Sequence, residues 1–158
     1  VARFWPTITK PEGRRMATGV KLALYAGNLG IAHDTAALVA EMNRRHAAGW
    51  TVDFYGDGPR LDALPSFVRR HGFVSGDDYL DILYGHPVHL VAGTLGDGTG
   101  AFPSKAVNSL HIGAEVVPCG YAPELLAELE ELKAVPDLTQ NLEDAAELIS
   151  AFVSARRT

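Results

Sequence analysis

Short apolar runs alternate with stretches of helical period along most of the chain. The runs 20–26 (VKLALYA), 50–55 (WTVDFY), 88–92 (VHLVA) and 116–119 read as strands. A weaker strand carrying two arginines is expected over 67–73, and a short last one over 134–138. Between them the 3.6-residue period predicts a helix over 34–47 behind Asp34 as N-cap, with Leu38, Val39 and Met42 on its apolar face. Further helical stretches are expected over 60–64 (a short helix or turn), 77–84, 103–112 and 123–133. A final helix capped by Asn141 would place Ala145, Leu148, Ile149, Phe152 and Val153 on one face.

Strands that are continuous rather than alternating in polarity, each followed by a helix, argue for a parallel sheet covered on both sides. The expected fold is therefore α/β, a Rossmann-like three-layer α/β/α domain with a parallel sheet of about six strands. Residues 1–19 hold prolines at 6 and 11 and no sustained period, so they read as a lead-in or inter-domain linker, with Phe4 and Trp5 packing on the domain; residues 20–158 form the domain itself. The opening valine suggests a piece excised from a longer protein.

Composition narrows the partners. The 158 residues are 47% hydrophobic and 21% charged, with a formal net charge of −5, and the basic residues are scattered rather than striped. Such a chain is a poor nucleic-acid binder, because that affinity rests on neutralising phosphates. A single cysteine, Cys119, rules out an internal disulfide and fits a reducing compartment. No run approaches the roughly 20 apolar residues of a membrane span, and the expected setting is the cytoplasm.

The stretch 96–110 (GDGTGAFPSKAVNSL) concentrates the candidate chemistry. A glycine-rich turn after an apolar strand leads into Lys105 and a helix start, where backbone N–H groups and the helix dipole suit a phosphate. A flexible strand-to-helix loop of any α/β protein has the same spacing, and on spacing alone both readings stand. Loops 27–33, 56–59 and 93–105 would all fall at the carboxyl edge of the sheet, where ligands of such folds bind. No Gly-Lys dipeptide exists, so there is no Walker A; G-x-G-x-x-G and G-x-S-x-G are missing too. The six histidines offer no metal-ligand set, since His86 and His89, three apart at a strand start, would face opposite ways, and no Asp-x-Asp occurs.

Taken in order, Leu24-Tyr25-Ala26-Gly27-Asn28-Leu29-Gly30 with His33-Asp34, then Phe54-Tyr55-Gly56-Asp57-Gly58, then Phe102-Pro103-Ser104-Lys105, resemble the C-terminal domain of a GT-B glycosyltransferase. The retaining enzymes of family 4 (group 1), which build bacterial polysaccharides, are the nearest in pattern, over roughly residues 20–155. The resemblance implies a metal-independent hexosyltransferase whose nucleotide-diphosphate sugar is a substrate, with no further cofactor. It also implies an acceptor-binding N-terminal domain elsewhere in the same protein, through which peripheral association with the inner membrane face would come. This chain alone would then be an incomplete, inactive portion.

Residue by residue, the resemblance assigns the diphosphate to Gly27, Asn28, Leu29 and Gly30, with His33, Ser104 and Lys105. Gly56, Asp57, Val74, Ser75 and Asn108 would serve the ribose and base, Phe73 to Ser75 lying near the nucleobase. Three positions depart from the family's pattern, the first two of them on the ribose and sugar side. Asn108 stands where the family has glutamate, Gly100 where it has an acidic residue, and Glu115 where it has proline. They leave open a non-catalytic nucleotide-binding or interaction module of the same fold. A flavodoxin-like or receiver-type regulatory domain ranks last, because it would need an acidic pocket at the strand ends, where these loops are rich in glycine.

Overall fold

The computed structural model describes residues 7–94, 104–135 and 138. Strands β1 (Leu22–Ala26), β2 (Thr51–Tyr55), β3 (Arg69–His71), β4 (Val88–Ala92) and β5 (Glu115–Cys119) form one parallel sheet in the order β3-β2-β1-β4-β5. The chain steps outward from β1 to β3, then returns through a helix to place β4 on the other side of β1. That reversal makes a topological switch point between the carboxyl ends of β1 and β4. The Rossmann-like α/β/α reading holds. Five strands rather than about six are present among the described residues: Ala134 caps the last helix, Val135 is irregular and Leu138 lies in a turn. Pro136, between them in the sequence, has no N–H to give a ladder. Phe4, Trp5, the glycine run 96–103 and the helix expected from Asn141 lie outside the described residues.

Strand alternation divides the core. Ala23 and Tyr25 of β1, Val52 and Phe54 of β2, and Val88, Leu90 and Ala92 of β4 pack with Leu38 and Met42 of α1 (Thr35–Ala47) on one face. On the other, Leu24 meets Leu83 and Tyr84 of α2 (Gly76–Gly85), while Val91 and Val116 meet Ala106 and Val107 of α3 (Ser104–His111), backed by Leu129 and Leu132 of α4 (Pro123–Lys133). Asp34 caps α1 as its position suggests, its carboxylate accepting from the Ala37 N–H at 3.0 Å. The stretch 60–64 yields one turn of 3₁₀ helix, Leu61–Ala63. The weak strand shrinks to three residues because Phe67 and Val68 turn inward instead, Phe67 stacking on His46 at 3.9 Å and Val68 joining the α1-side core.

The expectation that His86 and His89 face opposite ways is overturned, and the reason is the end of α2. His86 precedes β4 instead of belonging to it, so strand alternation does not separate the two. His86 Nδ1 lies 2.6 Å from the Ile82 carbonyl and His89 Nε2 lies 2.9 Å from the Leu83 carbonyl. With Ala17 N–H on the Tyr84 carbonyl at 2.8 Å, three of the four open carbonyls at this helix end have donors. His89 takes the Ser109 hydroxyl on Nδ1 at 2.7 Å, so its one ring proton sits on Nε2. Burial pushes its pKa down to about 4.

A buried carboxylate ties the other side of the sheet together. Asp53, wholly enclosed in mid-β2, accepts two hydrogen bonds from Arg69 on the neighbouring β3 (2.7 and 2.6 Å) and contacts His71 Nε2 at 2.8 Å and His86 Nε2 at 3.0 Å. Burial alone would raise the Asp53 pKa; the bonds from Arg69, His71 and His86 outweigh it and bring it down to about 2. One side chain thus joins β2, β3 and the end of α2.

Two stability outcomes follow. The His89 pKa is lower folded, at about 4, than its ordinary 6.5, so between those values the unfolded chain binds more protons and stability rises with pH. Urea unfolding should therefore lose up to about 3 kcal/mol on going from pH 6.5 to pH 4, and His89→Gln should flatten that window. At pH 7, Asp53→Ala should cost about 3–5 kcal/mol by leaving buried His86 and the partly exposed Arg69 without their anion, and Arg69→Ala should cost about 1–3 kcal/mol by leaving the enclosed carboxylate with His71 and His86 alone.

Candidate functional site

The carboxyl ends of β1 and β2 are joined backbone to backbone. Gly27 N–H donates to the Tyr55 carbonyl and Leu29 N–H to the Asp57 carbonyl, both at 2.8 Å. A side chain on Gly56 would collide with the Gly27 carbonyl, and one on Gly58 with the Leu29 carbonyl and the Asn28 amide; both glycines also hold φ near +140°. No residue with a Cβ fits so close an approach at that φ. Gly27, likewise at φ +140°, leaves its open side to Lys105, whose Nζ stands where a Cβ would project.

Above these loops lies a cavity of about 520 Å³, bounded by Ala26, Gly27, Asn28, Tyr55, Gly56, Asp57, Phe73, Val74, Ser75, Gly76, Tyr79 and Lys105. A second hollow of about 90 Å³ sits over the switch point among Tyr25, His33, Leu90, Val91, Ala92, Ser104 and Lys105. Lys105 lines both. Its ammonium is half-buried, 6.0 Å from the centre of the Tyr25 ring, with no carboxylate or carbonyl partner among the described residues. Burial lowers its pKa, and an ammonium held at a helix start opposes the helix dipole. Both costs fall when an anion docks.

The residues singled out in the sequence divide into three groups. Gly27, Asn28, Gly56, Asp57, Val74, Ser75 and Lys105 meet around the large cavity, and His33, Ser104 and Lys105 around the small one. Leu29 is enclosed in the core, and Gly30 gives its N–H to His33 Nδ1 at 2.8 Å, so the His33 ring proton sits on Nε2. In the loop 27–30, only the Asn28 N–H has no partner among the described residues, so the lysine faces the cavity as its main positive group. Asn108 lines neither of these two hollows. It is 8% exposed, its Oδ1 accepts from Thr7 N–H at 2.7 Å and its Nδ2 donates to Thr7 Oγ1 at 2.9 Å.

Two aromatic walls were not assigned to the ligand from the sequence, Tyr55 and Tyr79; the third, Phe73, is in the stretch that the resemblance sets near the nucleobase, and it lines the cavity with Val74 and Ser75. Phe73 is 85% exposed, an unusual position for a phenyl ring. Tyr55 is steadied by stacking on His71 at 4.1 Å, so the Asp53 cluster backs the cavity wall. Cys119 is buried, and burial lifts its thiol to about 12, which makes it a packing group. Asp77 and Asp78 occupy the first turn of α2, where they complement its dipole. Among the described residues no group of three or more His, Cys, Asp or Glu side chains could hold a metal ion, and no helix is long and apolar enough to cross a membrane.

A doubly wound α/β domain with its cavity at the carboxyl edge is the class that fold and site define. No family model and no curated protein matches the chain. Among solved structures it is similar to a mutant of S. aureus TarM in complex with fondaparinux, alpha-GlcNAc-glycerol and UDP. The two share 13% identity at a TM-score of 0.49, over 90% of this chain and 32% of that one. The chain thus spans about a third of the length of the protein it matches there.

The glycine contact gives a direct check. Gly56→Ala adds a Cβ where the Gly27 carbonyl lies and should cost about 1–3 kcal/mol in urea unfolding, while Gly72→Ala, with open space around its Cβ, should change stability by less than about 1 kcal/mol.

Proposed function

We propose that this chain is the donor-binding domain of a GT-B glycosyltransferase that moves a hexose from a nucleotide-diphosphate sugar to a glycan or lipid-linked acceptor. The observation that carries the reading is Lys105, a half-buried ammonium laid over Gly27 between two hollows with no anion beside it among the described residues. The large cavity is lined both by the rings of Tyr55, Phe73 and Tyr79 and by this cation. A planar base joined to a diphosphate suits both, and about 520 Å³ lies within the range of small-molecule pockets. Lys105 and the start of α3 would stabilise the departing diphosphate without a metal, by fixed positive charge in a site partly closed to water. The acceptor would be held by a further domain of the same protein, working in the cytoplasm at the inner face of the membrane.

The hold of Thr7 on Asn108 favours a second reading, a module that binds the nucleotide without transferring sugar, because that amide is already engaged where a ribose contact was expected. Release of nucleoside diphosphate from sugar donors by a protein carrying both halves supports transfer; binding without release supports the module.

Calorimetric titration of the chain with UDP and GDP should show binding of at least one. Lys105→Ala should weaken it tenfold to about a hundredfold, in keeping with the loss of one charge-assisted contact. No heat from any nucleoside diphosphate at millimolar concentration would overturn the reading.

A further inference from the structure

The segment 7–19 is bound to the domain at several points. Ile8 and Met16 pack with Leu24, Leu83, Tyr84 and Ile112, Ala17 N–H caps α2, and Arg14 pairs with Asp81 and lies 4.8 Å above the Tyr84 ring. Its first described residue, Thr7, is fixed at two points to Asn108, 101 positions away in sequence. Asn108 lies three residues beyond Lys105, on the adjoining part of the same face of α3, and the two side chains line one narrow crevice with Tyr79, Leu83 and His89. The opposite face of α3 is anchored through Ala106 and Val107 in the core. Core contacts set the distance of the helix from the sheet, while a directional two-bond clamp on its flank resists rotation about its axis. A few degrees of rotation would swing a side chain as long as lysine off Gly27.

We propose that Thr7 and Asn108 are positioning residues for Lys105, fixing the turn of α3 so that the ammonium stays over Gly27 in the anion seat. Asn108 is then engaged by the chain itself and reads no ligand hydroxyl, and displacement of the segment at Thr7 weakens anion binding at a distance. The ligand side of this inference rests on the nucleotide reading above; the placement of Lys105 does not.

The experiment follows the Lys105 ε-methylene by carbon NMR through a pH titration, beside UDP titrations, in the native chain and in Thr7→Val, Thr7→Ser and Asn108→Leu. Thr7→Val keeps the shape of an exposed residue and removes only the acceptor for Asn108 Nδ2, so it should fold. The expected result is a Lys105 titration moved upward, toward an ordinary lysine, in Thr7→Val and further in Asn108→Leu, with UDP affinity down about fivefold in Thr7→Val and both restored in Thr7→Ser. A Lys105 titration unchanged in Thr7→Val and Asn108→Leu, even with lowered melting temperatures, overturns the proposal, as does failure of Thr7→Ser to restore it. If the native chain binds no UDP or GDP while the Lys105 titration still moves, the positioning role stands and the nucleotide reading falls.

Discussion

The site depends on a place where a side chain cannot be. Gly56 presses its bare α-carbon against the Gly27 carbonyl, and Gly58 does the same to the Leu29 carbonyl, so the turns after β1 and β2 behave as one double layer of backbone. The layer is thin because it has no Cβ, and that thinness lets Lys105 lie across it from the far side of the switch point. Enlarge any of these glycines and either the layers part or the lysine is driven off. The geometry that a glycine-rich loop supplies here is therefore room for a cation. The loop's own donors are mostly engaged elsewhere, with Gly27, Leu29 and Gly30 giving their N–H groups to the protein.

The lysine itself is placed against its own electrostatic interest. It is half-buried, sits at a helix start and faces aromatic rings more than oxygen. Left to solvent, a lysine avoids all three, and the fold holds it there by fixing its neighbours. Ser109 is tied to His89, and His89 to Leu83, so the body of α3 is joined through a neutral buried histidine to the end of α2. Asp53 steadies the opposite wall through His71 and the ring of Tyr55 stacked on it. A charge held where burial resists it is a mark of functional sites, and Lys105 is a half-buried cation with no carboxylate or carbonyl partner among the described residues.

How much of this could be read from the sequence follows from which forces are local. The strand 88–92 and the helix 123–133 came out to the residue, because a run of apolar residues and a Pro-led Glu/Leu period need no distant help. The glycine loops and Lys105 were legible as a set, and the fold brings Gly27, Gly56 and Lys105 together. What failed to show was pairwise and distant. Asp53 reads as an oddity inside a strand until Arg69, His71 and His86 arrive from elsewhere; His86 could be assigned a face only once the end of α2 was known; Asn108 was read for a ligand because nothing in a single sequence announces Thr7 as its partner. The sixth strand was expected over 134–138, where Pro136 has no N–H for a ladder.

The pattern of satisfied and unsatisfied groups separates scaffold from site better than polarity does. Arg45, Asp53, His86, His89, Asn108 and Ser109 are all buried and polar, and each is bonded inside the chain, so burial of a polar residue here is the ordinary signature of structure. Against that background the exposed phenyl ring of Phe73 and the half-buried ammonium of Lys105 break the rule in opposite senses, one apolar group offered to water and one cation denied it. They face the same cavity. Two violations that line one hollow, each costly alone, are relieved together by a ligand that carries both a flat apolar group and an anion.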